Sequence, residues 1–251
     1  MTQHIIHPIA HIRTDLSSKF GIPRQSGLVP ELEGTIVFEP AYRNPDALRG
    51  LENYSHIWLI WHFSEGFASA KQEGRYDGHE EAAETPSWSP TVRPPKMDGN
   101  TRVGVFATRS PNRPNSLGLS VVKITGIEPV SEEGPLIHVS GADLMDGTPI
   151  FDIKPYLPAT ECIPDADKGI GRLRHVETLD VEIPDEWVKK LPEGKTEALR
   201  RILELDPRPG YQDDPARIYG FPFAGKEVKF RVEEGTAIVV SIERSEERRV
   251  G

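Results

Sequence analysis

Cysteine is nearly absent. Of 251 residues only Cys162 carries a thiol, so no disulfide can form within the chain. That usage fits a reducing compartment, and the chain is read as cytoplasmic. No apolar run approaches the length of about 20 residues that a membrane-spanning helix requires. The opening Met1-Thr-Gln-His-Ile-Ile-His-Pro8 has no basic region leading into an apolar one, so no secretory signal is expected. Paired cysteines at zinc spacing, His-Glu-x-x-His and the Walker phosphate loop are all missing, which leaves structural zinc and nucleotide hydrolysis without support, and no metal is expected. No Gly-x-Gly-x-x-Gly joins a strand to a helix. The nearest string, Gly169-Ile-Gly171, lies in a linker, so a Rossmann dinucleotide fold is not expected.

Overall positive charge is lacking as well. Lys and Arg number 30 against 39 Asp and Glu, a net charge of −9. A nucleic-acid partner normally calls for a basic footprint. Here the distribution matters more than the total. Residues 93–113 carry Arg93, Lys96, Arg102, Arg109 and Arg113 against Asp98, a local balance of +4. Residues 65–84 hold six acids against Lys71 and Arg75, a balance of −4.

What is present is a series of short strands punctuated by Gly and Pro. Thr35–Phe38, His56–Phe63, Arg102–Ala107, Leu119–Ile127 and Leu136–Val139 read as strands, and His56–Phe63 is apolar enough to be buried on both faces. Pro45-Asp-Ala-Leu-Arg-Gly-Leu51 suggests one helical turn. Such spacing predicts an antiparallel sandwich or barrel. Residues 66–88 have three glycines, many charges and no apolar period, and read as an inserted loop. Composition shifts to Pro, Asp and Gly across Pro155–Gly171, where a domain boundary is placed. Beyond it Glu177–Ile183 reads as a strand and Pro184–Leu191 as a short helix. Thr196–Leu205 is helical by the spacing of Leu199, Ile202 and Leu203, and ends before Pro207. Val228–Val232 and Ala237–Ile242 read as paired strands. The expected fold is mainly β: a barrel domain over 1–160, a small α+β domain over 161–245, and a frayed charged tail over 246–251.

The most distinctive stretch is Gly104-Val-Phe-Ala-Thr-Arg-Ser-Pro-Asn-Arg-Pro-Asn-Ser-Leu-Gly118. A strand runs into a loop that carries Arg109 and Arg113, stiffened by Pro111 and Pro114, which fix φ and remove two donors. Guanidinium groups on a stiff turn suit a carboxylate or a phosphate. Six further strings occur in order: Pro23-Arg-Gln-Ser-Gly27, Arg49-Gly-Leu-Glu-Asn-Tyr-Ser-His-Ile-Trp58, Pro90-Thr-Val-Arg-Pro-Pro95, Asp143-Leu-Met-Asp-Gly-Thr-Pro149, Asp152-Ile-Lys-Pro-Tyr-Leu-Pro158 and Asp206-Pro-Arg-Pro-Gly-Tyr211. Together they resemble the TrmO/YaeB family over roughly residues 5–242.

The resemblance implies an antiparallel β-barrel that binds S-adenosylmethionine and an enzyme that methylates N6 of threonylcarbamoyl-adenosine beside the anticodon of tRNA. It implies a homodimer in which one subunit's second domain approaches the other's cofactor; no membrane partner is expected, given the lack of a long apolar run. Positions matching the family's cofactor strings are Gln25, Ser26, Gly27, Arg109, Leu119, Leu144, Met145, Asp146 and Gly147. Ser64 and Glu65 stand where members carry a His and a polar residue, with His62 two residues earlier. Arg113, Arg208 and Tyr211 are expected to serve the anticodon loop, Tyr211 by stacking on a base. Asp146, Asp206 or a water would take the proton that leaves the nitrogen, with alignment of the reactants dominating the rate. Two alternatives are open: a barrel that binds RNA or a ligand without turnover, and a methyltransferase acting on another RNA or a small molecule.

Overall fold

The computed structural model describes residues 4–63, 88–94, 101–167, 169, 178–208, 214 and 216–245. Ser64, Glu65, Tyr211, the 66–87 part of the inserted loop and the 246–251 tail lie outside the described residues.

Six antiparallel strands close into a barrel: β1 (Ala10–Thr14), β2 (Glu33–Phe38), β3 (His56–His62), β6 (Leu117–Glu128), β7 (Leu136–Ser140) and β8 (Pro149–Pro155), in the order β1-β2-β7-β6-β3-β8. Between β3 and β6 in sequence lies a two-stranded ribbon, β4 (Thr91–Val92) and β5 (Val103–Gly104). Alternation explains the barrel. Ile57, Leu59 and Trp61 of β3 point inward with Ile12, Ile36, Val122, Ile137, Val139 and Ile150, and together they fill the interior. Burying each large side chain contributes roughly 1.5–3 kcal/mol. The expectation that β3 is buried on both faces is corrected: His56, Trp58, Ile60 and His62 on its other face are only half-buried. The expected strand Arg102–Ala107 is shortened to β5, because the chain turns at once into a 3-10 turn, Val105–Ala107. The helical turn near residue 45 is two 3-10 turns, Pro45–Leu48 and Leu51–Asn53.

The second unit is a four-stranded sheet in the order β10-β11-β12-β9, from β9 (Asp180–Glu182), β10 (Tyr219–Phe223), β11 (Lys226–Glu233) and β12 (Thr236–Arg244). Three short α-helices are present among the described residues: α1 (Pro158–Glu161) after the barrel, then α2 (Asp185–Val188) and α3 (Thr196–Glu204). Helix α3 buries Ala198, Leu199, Ile202 and Leu203 on one face. Its core also takes Leu16, Val29 and Leu32 from the connection between β1 and β2. That connection therefore leaves the barrel, packs into the second core and returns. At Gly21, with φ +94°, an added Cβ would stand 2.6 Å from the Phe221 ring, so only glycine fits this crossing. Lys195 holds the same junction, 2.9 Å from Asp15 and 2.7 Å from Glu33. Burial pulls its pKa down, but the bonds to Glu33 and Asp15 outweigh this and raise it.

Candidate active site

A six-stranded barrel packed with isoleucine and leucine has no room inside for a cofactor. An opening exists at its wall. Strand β7 pairs with β6 only from Lys123 onward, so the first half of β6, Leu117–Val122, has β3 on one side and no β7 on the other. The turn Gln25-Ser26-Gly27 fills part of this gap. The Val121 N–H donates to Ser26 Oγ at 3.1 Å, and the Gly27 N–H donates to the Gly141 carbonyl at 2.8 Å. Gly27 and Gly141, at φ +77° and +78°, come so close that a Cβ on Gly141 would stand 3.3 Å from Gly27 Cα.

At this gap lies a cavity of about 420 Å³, within the size range of small-molecule sites. Ile22, Pro23, Trp61, Phe63, Leu117 and Leu119 form its apolar wall, and Leu119, unusually for a strand leucine, is 47% exposed. Arg24, Gln25, Thr108, Arg109, Arg113 and Asp143 supply its polar groups. The position of Asp143 depends on three layers. Strand partner Gly118 has no side chain, so the Trp61 indole lies flat across β6; a Cβ on Gly118 would stand 2.6 Å or less from three indole atoms. The indole Nε1–H then donates to Ser120 Oγ at 3.0 Å, and Ser120 Oγ–H donates to Asp143 Oδ1 at 2.6 Å. Burial pushes the Asp143 carboxyl above its ordinary value, against the downward pull of the Ser120 hydroxyl, its own and the Ser26 backbone N–H groups and the Arg109 charge. A half-buried carboxyl group and a guanidinium thus stand in one cavity.

Arg109 is held in place by neutral groups. Its guanidinium donates to Gln25 Oε1, and Arg113 donates to the Thr108 carbonyl at 3.3 Å. The loop that carries both is shaped by its own serines and threonine: Ser110 N–H bonds to Thr108 Oγ1, Asn112 N–H to Ser110 Oγ, and Ser116 Oγ–H to the Pro111 carbonyl. These local bonds give the loop a fixed turn where proline alone would only forbid helix and sheet.

Of the positions expected from the resemblance, Gln25, Arg109, Arg113 and Leu119 line this cavity, and Ser26 and Gly27 form the turn beside it. Leu144, Met145, Asp146 and Gly147 do not line this cavity. Leu144 is in the barrel core. Asp146 Oδ1 accepts the Thr14 N–H at 2.9 Å, and Gly147 N–H donates to the Ile12 carbonyl, so this turn ties β1 to β8. Asp206 and Arg208 face each other: Arg208 Nε donates to Asp206 Oδ1 at 2.8 Å and Nη2 to Oδ2 at 3.3 Å. Asp206 holds φ +49°, which bends the chain to make that contact. His62 is half-buried in β3, edge-on to Phe151, and burial lowers its pKa. Asp143 was not singled out by residue type. It stood in the string that drew attention to Asp146, and the one available signal was an acid flanked by Ala142 and Leu144, both buried.

Comparison with known proteins agrees with this architecture. The family model of the tRNA-methyltransferase O N-terminal domain matches residues 11–162, and that of the TrmO C-terminal domain matches residues 177–245. A tRNA (adenine(37)-N6)-methyltransferase of Escherichia coli strain K12 is 34% identical over 251 residues, covering 97% of this chain and 99% of that protein. A protein of the same name from Eikenella corrodens is 42% identical over 191 residues, covering 76% of this chain and 97% of its own. A crystal structure of TrmO from Pseudomonas aeruginosa superimposes with a TM-score of 0.71 at 30% identity, over 96% of this chain and 99% of that one.

Proposed function

The chain belongs to the tRNA-methyltransferase O family, and from that premise we propose that it methylates N6 of adenosine 37 in tRNA, using S-adenosylmethionine. The acceptor we propose is the threonylcarbamoyl form of that adenosine. We propose further that the enzyme works in the cytoplasm as a homodimer. Among the described residues no helix is long and apolar enough to cross a membrane.

The observation that carries this reading is the placement of Arg109 and the half-buried Asp143 in one cavity with an apolar wall. S-adenosylmethionine ends in an amino acid, an ammonium beside a carboxylate, and its adenine needs a flat apolar slot. Arg109 would take the carboxylate, as a charge-assisted bond worth about 1.5–3 kcal/mol. Asp143 would take the ammonium, and Trp61, Phe63 and Leu119 would flank the base. When bound, the cofactor supplies an activated methyl group. The residues around it contribute alignment and exclusion of water rather than acid–base chemistry. A nitrogen that gains a methyl group carries positive charge and gives up its proton to water without a dedicated base. In this reading Asp146 and Asp206 need not reach the reacting centre and hold local structure instead. The test is calorimetric titration of S-adenosylmethionine into the protein and its Arg109→Lys variant. Lysine keeps the charge but loses the planar fork, so affinity should fall at least tenfold, corresponding to about 1.4 kcal/mol. Unchanged affinity in a folded variant would remove Arg109 from the site.

A further inference from the structure

Beside the cofactor cavity lies a second cleft of about 600 Å³, formed by the β4–β5 ribbon and the arginine loop. Four arginines line it, Arg24, Arg93, Arg102 and Arg109, and no Asp or Glu does among the described residues. In a chain of net charge −9 this calls for an explanation. Elsewhere arginines face carboxylates: Arg13 meets Glu133, Arg201 meets Glu204 and Arg231 meets Glu233. Among the described residues, Arg93 and Arg102 do not. Arg102 is anchored at 2.8 and 2.7 Å to Thr91 Oγ1 and the Thr91 carbonyl, two neutral oxygens that fix the fork and leave its charge uncancelled. Arg93 is exposed and makes no hydrogen bond or ion pair among the described residues. Just outside the ribbon, before β4 and after β5, Trp88 and Phe106, 44% and 72% exposed, sit with ring centroids 5.9 Å apart. Large exposed aromatics next to fixed cations are the combination that receives unpaired nucleic-acid strands, the cations on phosphates and the rings on bases.

We propose that this cleft is the RNA-backbone clamp of the enzyme: Arg93 and Arg102 hold phosphodiesters of the anticodon loop, and Phe106 with Trp88 stacks an unpaired base next to the acceptor. The proposal rests on the tRNA reading above and adds to it the surface that grips the strand. Because the cleft shares Arg24, Gln25, Thr108 and Arg109 with the cofactor cavity, an RNA strand held there is delivered to the methyl donor. The −9 total then matters little, since the positive potential is confined to the place where phosphate must dock.

The test is fluorescence anisotropy with a labelled synthetic anticodon stem-loop RNA and protein loaded with S-adenosylhomocysteine, at several salt concentrations. Arg93→Gln and Arg102→Gln should each weaken binding several-fold and flatten the slope of log affinity against log salt by about 0.7–0.9. Phe106→Ala should weaken binding roughly fivefold or more with the slope unchanged. All three should bind S-adenosylmethionine as the parent does, which separates the clamp from the cofactor site and shows that they fold. Arg93 touches no described partner, so its variant carries the test even if Arg102→Gln disturbs the ribbon. Parent-like RNA affinity and salt slope in Arg93→Gln and Arg102→Gln would overturn the clamp while leaving the tRNA reading standing. A parent protein that binds the cofactor but neither binds nor methylates tRNA would overturn both. A Phe106→Ala variant that changes sedimentation from dimer to monomer would reassign the aromatic pair to a subunit interface and overturn the stacking role.

Discussion

Gly118→Ala is a one-methyl change with a consequence that runs through three residues. The new Cβ would stand 2.6 Å or less from three atoms of the Trp61 indole, so the ring must tilt away from β6. Trp61 is 6% exposed and packed in the barrel core, so there is little space to tilt into. Overpacking of this kind costs about 1–3 kcal/mol. Tilting also breaks the bond from Nε1 to Ser120, a further cost of about 1 kcal/mol. Together these predict a loss of about 2–4 kcal/mol, with the melting temperature falling about 2–4 °C for each kcal/mol. The effect on function follows from the same chain of contacts. Trp61 lines the cavity and Ser120 orients Asp143, so S-adenosylmethionine affinity should fall along with stability. Thermal denaturation and calorimetric titration of the same preparation read the two effects. A variant with parent melting temperature and parent affinity would refute the stacked arrangement of Trp61, Ser120 and Asp143.

Other outcomes follow from the electrostatics and the pairings. Burial raises the Asp143 pKa, so its ionised form is disfavoured in the fold: stability is highest while the carboxyl is protonated, falls as pH rises from the ordinary carboxylate range through the raised value, and stays lower above it. Asp143→Asn, which keeps an acceptor for Ser120, should therefore raise the melting temperature at neutral pH while weakening the cofactor; a lower melting temperature would contradict the burial argument. Asp206→Ala removes the partner of Arg208 and puts alanine at φ +49°, so it should cost about 1–3 kcal/mol in denaturant titration. A folded Asp206→Ala protein of parent stability whose methyl transfer is abolished would restore Asp206 as the proton acceptor. If the homodimer shares its sites, mixing inactive Arg109→Ala chains with inactive Tyr211→Ala chains should recover part of the activity; verified heterodimers that stay inactive would place each site within one subunit.

Much of the architecture can be read from local pattern. Alternation in β3 and β6 and the helical spacing of Leu199, Ile202 and Leu203 depend on near neighbours, and these elements stand close to where they were expected. β1 has no clear strand signal although Ala10 and Ile12 alternate with His11 and Arg13, because five residues with three polar ones look like a loop until β2 and β8 supply partners. The crossing of residues 15–32 into the second core had no local signal, since Leu16, Val29 and Leu32 are scattered among polar residues. The site divides in the same way. Arg109 is conspicuous because its loop is unusual in composition. Asp143 is not, because its role is made by Ser120 from one strand and Ser26 from a distant turn. Asp146-Gly147 stands out in the sequence as a chemical pair, and the hydrogen bond from the Thr14 N–H to Asp146 has no local signal.

The central claim is that the gap beside β6 holds a methyl donor for a tRNA adenosine. It is tested most directly by incubating the protein with S-adenosylmethionine carrying a labelled methyl group and tRNA with or without the threonylcarbamoyl group, then digesting the RNA and weighing the nucleosides. The account predicts label on N6 of threonylcarbamoyl-adenosine at position 37, in the modified tRNA alone, and its loss in Arg109→Ala. Label at another base or atom, or equal label in a folded Arg109→Ala variant, would contradict it.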